Sequence, residues 1–187
     1  VPRCALVVAF APIAAYVTKL VSLNIRSRIN ATYYSSTDIL TGILNRFSFS
    51  SKVKEYESRR PACLICIYAD ADGLHELNNQ FGHEAGDEML KAAASQMRDA
   101  FGDSTYRLGG DEFLSFVESN DTQAVADSIE RIRAFMIPHN YHMSLGFAAL
   151  EKDETVADLI RRAESQMFAA KRDYYVQSGK DRRKHRG

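Results

Sequence analysis

The sequence is short of several features that would mark a function class. Its 187 residues hold three cysteines and four prolines, and 24 Lys and Arg against 24 Asp and Glu leave a formal net charge of zero. Three cysteines do not build a disulfide framework, so a reducing cytosolic compartment is the default. Cys63 and Cys66 form a CxxC inside "CLICIYAD", which reads as a buried strand. Residues three apart on a strand point to opposite faces, so a redox or zinc pair is not expected. A neutral chain has no general attraction for phosphate, and any phosphate or metal chemistry must come from local charge. The charge-free run near the start, "CALVVAFAPIAAYVT", is fifteen residues long, short of the roughly 20 that a membrane span needs. There is no internal repeat or low-complexity tract. With 45% hydrophobic and 26% charged residues, the chain reads as one principal globular domain with a short extra element.

What is present alternates between element types. "RFSFSSKVKEYESRR" (46–60) predicts a helix ended by Pro61, and "CLICIYADAD" a strand ending in acids. Residues 84–101 carry apolar residues at helical spacing and are closed by Gly102. "TYRL" and "EFLSFV" alternate around Gly109 and Gly110 as a hairpin, with the two glycines as the turn. A helix across 122–136, a strand over 141–150 and a final helix from Thr155 to Tyr175 follow, the last opened by Thr155 and Asp158 as cap and early acid. The order strand, helix, hairpin, helix, strand, helix is the split βαββαβ pattern of an α+β, ferredoxin-like fold. Helices are expected on one face of a largely antiparallel sheet.

In that arrangement the strand ending at Asp70 lies beside the hairpin turn, so Asp70, Asp111 and Glu112 converge. Clustered carboxylates repel unless a cation sits between them, and hard oxygen donors suit Mg²⁺, which commonly bridges a triphosphate. A Gly-Gly-Asp-Glu hairpin alone is more often a solvated turn. The stretch "DADGLHELNNQFGHEAGD" (70–87) adds weight, because Gly73 directly follows the strand and opens a short helix whose free N–H groups suit phosphate. Asn78 and Asp87 offer an amide and a carboxylate complementary to a purine edge.

Four separated motifs, "DILTGILNR" (38–46), residues 70–87, "RLGGDEF" (107–113) and "AESQMFAAK" (163–171), resemble the GGDEF domain of diguanylate cyclases over about residues 36–175. The resemblance implies a fold related to the nucleotide cyclase and polymerase palm. It also implies condensation of two GTP into cyclic di-GMP with release of two pyrophosphates, across a homodimer and with Mg²⁺ or Mn²⁺. It makes Asp70, Asp111 and the Ala71 carbonyl metal ligands, with Glu112 nearest the reacting 3′-hydroxyl as a base or through the metal. Asn78 and Asp87 would read guanine, Gly73, Leu74 and His75 would meet phosphate, and Arg107 and Lys171 would supply positive charge. Asp38, Asn45 and Arg46 look structural, fixing the turn that joins the incoming segment to the domain.

Three departures from the family pattern stand out. His75 replaces a usual Lys, Tyr175 replaces a second basic residue four positions after Lys171, and "AFGD" (Ala100–Asp103) lacks the arginine of the product-inhibition motif. The last is expected to remove tight feedback inhibition. Two readings stay open: an active cyclase, and a weak or inactive GTP-binding regulatory domain. A purely structural dimerisation module fits poorly with an intact "GGDEF". Residues 1–35, which begin with Val rather than Met, read as a linker or the remnant of an upstream sensory module, with a membrane-anchoring stub as the alternative. A signal peptide, which Arg3 and the small residues Ala9 and Ala11 resemble, conflicts with access to nucleoside triphosphates. The domain is expected to be cytoplasmic, with a membrane-anchored parent possible. The basic tail, 176–187, lacks interleaved aromatics, so no nucleic-acid partner is expected.

Overall fold

The computed structural model describes residues 15–24 and 36–178. These belong to two units that divide between Ser36 and Thr37. In the first, residues 15–24 form helix α1, with Tyr16, Val17, Leu20, Val21 and Leu23 exposed. No helix among the described residues is long and apolar enough to cross a membrane. The rest of the expected sensor or membrane remnant, and the basic tail from residue 179, lie outside the described residues.

The second unit is built on β2 (Ile65–Asp72), whose eight residues are all buried. The sheet order is β1-β3-β4-β2-β5, where β1 is Leu44–Asn45, β3 Thr105–Gly109, β4 Glu112–Val117 and β5 His142–Ala149. All pairings are antiparallel except β1 with β3. The helices are α2 (Arg46–Arg59), α3 (Leu74–Phe81), α4 (His83–Phe101), α5 (Thr122–Met136) and α6 (Val156–Gln177). The two hairpin strands and α5 lie where the sequence pattern puts them, with the turn between the strands shifted by one residue, and α6 opens with the Thr155 hydroxyl accepting from the Asp158 N–H at 3.1 Å. The βαββαβ core of the α+β fold is thus present, with β1 as an added edge.

Helices cover both faces of the sheet, not one. The odd residues of β2, Ile65, Ile67, Ala69 and Ala71, pack with Met89, Ala93 and Met97 of α4 and Val125, Ile129 and Ile132 of α5. Its even residues Cys66 and Tyr68 pack with Tyr56 of α2 and Leu159, Ala163 and Met167 of α6. Burying one such aliphatic side chain contributes roughly 1.5–3 kcal/mol. A strand buried on both faces shows no apolar/polar alternation, and "ICIYA" carries that signature. Cys66 is buried, while Cys63 precedes the strand; both thiols are free.

Two of the residues expected to fix the incoming turn, Asp38 and Asn45, make such contacts. Asp38 Oδ1 accepts from the Thr41 N–H at 2.9 Å and hydroxyl at 2.6 Å, and Asn45 Oδ1 caps α2 by accepting from the Phe47 and Ser48 N–H groups. Asn45 Nδ2 also donates to the Thr37 carbonyl at 3.2 Å.

Candidate active site

Side chains two apart on a strand share a face, so the even residues at the end of β2 continue the α6-covered face as Asp70 and Asp72. Across the ladder Asp70 stands opposite Glu112 of β4 and Ser144 of β5, and Asp72 opposite His142. The β3–β4 turn closes over this end. Gly109 pairs with Glu112, so the two turn residues are Gly110 and Asp111, not the two glycines. Gly110 takes φ 53°, a left-handed conformation that glycine adopts without steric cost. The turn is tied to β2 by the Ala71 N–H, which donates to the Asp111 carbonyl at 2.9 Å.

Lys171, from the C-terminal half of α6, reaches this cluster. Its Nζ donates to Asp70 Oδ1 at 2.7 Å and lies 3.7 Å from Asp72 Oδ1. Burial pushes the Asp70 carboxyl up to about 6; the Lys171 ammonium pulls it down, and the neighbouring Asp111 and Asp72 charges add to the rise. The Tyr68 hydroxyl pKa is raised by burial and then by the nearby Glu112 carboxylate. Asp70, Asp111, Glu112 and Lys171 are therefore brought together as expected.

Asp72, His142, Ser144 and Tyr174 belong to the same cluster and were not singled out in the sequence. Asp72 Oδ2 accepts from the Ser144 hydroxyl at 2.6 Å and lies 2.7 Å from His142 Nδ1, while its Oδ1 is buried with no hydrogen-bond partner. Tyr174 stacks on His142 with ring centroids 3.5 Å apart and planes 8° from parallel. Tyr175 faces the same charges: burial and then the Asp72 carboxylate raise its hydroxyl pKa, with Lys171 opposing. The available signal was the spacing of two in "DAD" and in "HMS", which puts each pair of polar residues on one strand face.

The expected base-reading residues form a second group on α3 and α4, helices that pack on the other face. Gly73 begins α3 with φ 79° and Leu74 packs partly on the core, so the chain turns directly from Asp72 into the helix. Asn78 lies against Gly86: a Cβ there would stand 2.0 Å from Asn78 Oδ1, an atom that is buried and unpartnered. Asp87 follows at once and is half-buried. Burial of an amide oxygen without a partner costs about 1–3 kcal/mol, which a ligand donor would relieve.

Two further residues expected at phosphate, His75 and Arg107, have side chains in contact with other parts of the protein. His75 is exposed and meets Asn79 Nδ2 through Nε2 at 3.1 Å. Arg107 holds the turn: Nε and Nη2 donate to the Gly110 carbonyl at 3.0 and 2.7 Å, and Nη1 to Asp38 Oδ1 at 3.1 Å. In this structure its guanidinium is engaged in clamping the turn to the Asp38 loop. No three His, Cys, Asp or Glu side chains among the described residues already stand as a metal-ligand set.

The family profile described as "Diguanylate cyclase, GGDEF domain" matches residues 35–175. The chain belongs to the GGDEF family. Curated relatives include diguanylate cyclase DgcP of Pseudomonas aeruginosa, 30% identical over 160 residues, and a diguanylate cyclase of Vibrio cholerae, 30% identical over 154. These alignments cover 78% and 74% of this chain but 23% and 47% of the relatives, so the chain spans less than half the length of either. Among solved structures, the coiled coil and GGDEF domain of DgcB from Caulobacter crescentus in complex with c-di-GMP superposes with a TM-score of 0.75 over 87% of this chain and 94% of that one, at 22% identity; this likeness is one of fold. The active GGEEF domain of a diguanylate cyclase from Vibrio cholerae superposes with a TM-score of 0.61 at 27% identity, over 69% and 91%. The GGDEF motif in this chain is Gly109 to Phe113, at the turn that closes over Asp70.

Proposed function

We propose that this GGDEF domain is a diguanylate cyclase, condensing two GTP into cyclic di-GMP and two pyrophosphates across a homodimer. The observation that carries the reading is the convergence of Asp70, Asp111, Glu112 and Lys171 at one end of one sheet face. The curated relatives named as cyclases support it.

In each half-reaction the 3′-hydroxyl of one GTP forms a P–O bond to the α-phosphate of the other, the bond to pyrophosphate breaks, and the hydroxyl proton leaves. Glu112 is the carboxylate assigned to that hydroxyl. Asn78 and Asp87 hold the guanine edge, and the left-handed turn at Gly73 brings backbone close to phosphate. Lys171 supplies the positive charge for the triphosphate.

The donor chemistry fits a hard divalent cation. Asp70 and Asp111 offer carboxylate oxygens, Asp72 Oδ1 is a buried oxygen without a hydrogen-bond partner, and Mg²⁺ favours oxygen ligands. Mg²⁺ or Mn²⁺ would be held by Asp70 and Asp111, with Glu112 and the Ala71 carbonyl beside them. Such an ion supplies charge neutralisation and lowers the pKa of a bound hydroxyl. Product release is expected without tight feedback, because Ala100 packs on the core and has no group to grip phosphate. The segment before Asp38 is where an upstream sensory module would govern whether two domains meet.

A regulatory domain that binds GTP without turnover is the second reading. It is favoured by Tyr174 and Tyr175, an aromatic pair whose second member takes the position four residues after Lys171 where the family pattern has a second basic residue. Incubation of concentrated protein with GTP and Mg²⁺ or Mn²⁺, beside Asp111→Ala, separates the two by mass-resolved chromatography. Cyclic di-GMP from the wild type but not from the variant is the expected result. Metal-dependent GTP binding without product, in an artificially dimerised protein as well, assigns the regulatory role.

A further inference from the structure

We propose that the Lys171 ammonium is the resident cation of the nucleotide-free site, and that it and a divalent metal exclude one another at Asp70. Metal then binds tightly only when a triphosphate draws the lysine away. The inference rests on the metal-dependent reading above and deepens it, assigning Lys171 a part in the order of binding as well as in phosphate contact.

The geometry of three side chains argues for it. Asp70 and Asp72 project from the same strand face with side chains 7% and 0% exposed, so two carboxylates share a poorly solvated end of the sheet. Among the described residues one Lys or Arg stands against them, Lys171, with Nζ 2.7 Å from Asp70 Oδ1 and 3.7 Å from Asp72 Oδ1. A Mg²⁺–oxygen bond is about 2.1 Å. An ion on the same Oδ1 would stand within a few ångströms of the ammonium, and two positive charges that close repel strongly in a partly buried place.

The lysine can yield, while its surroundings stay fixed. Its root is set by α6, which lies so close on β5 that a Cβ at Gly146 would be 2.1 Å from the Met167 backbone nitrogen, one turn before Lys171. Beyond that root a four-carbon stem lets the charge swing. Asp72 does not follow it, because Oδ2 is held by Ser144 at 2.6 Å and lies 2.7 Å from His142. The fixed Asp72 carboxylate thus keeps the ammonium over the site, as a positioning residue, until a stronger anion competes. Polyphosphate is such an anion, so metal and nucleotide should bind with positive coupling, by linkage through one movable charge.

The test is Mn²⁺ binding to the full chain, followed by electron paramagnetic resonance without nucleotide and again with a GTP analogue that cannot be cleaved at the α-phosphate. Lys171→Met is expected to bind Mn²⁺ alone about tenfold more tightly than the wild type, and the tightening caused by the analogue is expected to be about tenfold smaller in the variant. Lys171→Gln, which keeps a hydrogen-bond donor without charge, carries the same test if the methionine variant does not fold. Equal nucleotide-free affinity in wild type and variants, with Asp70→Asn abolishing binding, overturns the exclusion while leaving the metal site intact. Binding that survives Asp70→Asn overturns both the exclusion and the metal reading at Asp70.

Discussion

The two faces of the central strand begin alike and end differently. Toward α4 and α5, β2 presents Ile65, Ile67, Ala69 and Ala71, apolar to the last residue. Toward α6 it presents Cys66 and Tyr68, then Asp70 and Asp72, where a lysine, a histidine and a serine gather. The same backbone therefore carries a packing face and a chemical face, separated only by the period of two. Most of these polar groups are partnered with one another at the strand end, beside the β3–β4 turn, with Asp72 Oδ1 the exception. What separates the faces is a change in the even residues over the last few positions of the strand.

Substitution at Gly146 strikes the chemical face hardest. An added Cβ would meet the Met167 nitrogen at 2.1 Å and the Ala163 carbonyl at 2.6 Å, both backbone, so α6 must lift from the sheet. Gly146→Ala is expected to cost about 3 kcal/mol, read as a fall in Tm of about 10 °C, and to weaken metal-dependent GTP binding as Lys171 moves with its helix. On the other side of the molecule Gly86→Ala meets only side-chain ends, Asn78 Oδ1 at 2.0 Å and Leu74 Cδ1 at 2.9 Å. Its expected cost is affinity: about tenfold weaker GTP binding by calorimetry, or about 1.4 kcal/mol, with little change in Tm. Ile67→Val, on the packing face, is expected to lose about 1 kcal/mol of stability and to leave GTP affinity unchanged. A change in affinity there would break the separation of the two faces.

Much of this was legible in the sequence, and the gaps have physical causes. Helical spacing located α2, α4, α5 and α6, with Pro61 and Gly102 marking ends and Thr155 opening α6, because such local signals need no partner strand to be read. The carboxylates of the turn were legible for the same reason, being fixed by local glycine chemistry. The second helix layer was missed because a strand buried on both faces gives no alternation to read. The turn was displaced by one residue, since the irregular register between Arg107 and Gly109 absorbs the first glycine into β3. Asp72 with Ser144 and His142 depends on pairing between strands about 70 residues apart, which no local pattern carries.

The smallest expected effect compares two aspartates whose surroundings push in opposite directions. Asp70 is raised, by burial above all, to about 6. Burial raises Asp38 too, but the Thr41 hydroxyl, the Arg107 guanidinium and the Thr41 N–H outweigh it and leave its carboxyl below the ordinary value. A raised acid keeps its contribution to stability below the unfolded value and loses it as pH rises through the folded one; a lowered acid keeps its contribution above the unfolded value and loses it as pH falls. The Tm of the wild type minus that of Asp70→Asn should therefore decline as pH rises from about 4 to about 7, whereas the wild type minus Asp38→Asn should decline as pH drops below about 4. Shifts of a degree or two, read by calorimetry, are about what partly solvated groups can give. Slopes of the same sign would mean that Asp70 is stabilised by the Lys171 pairing more than it is penalised by burial, and the chemical face would then be a salt-bridged surface no different in kind from the Asp38 loop.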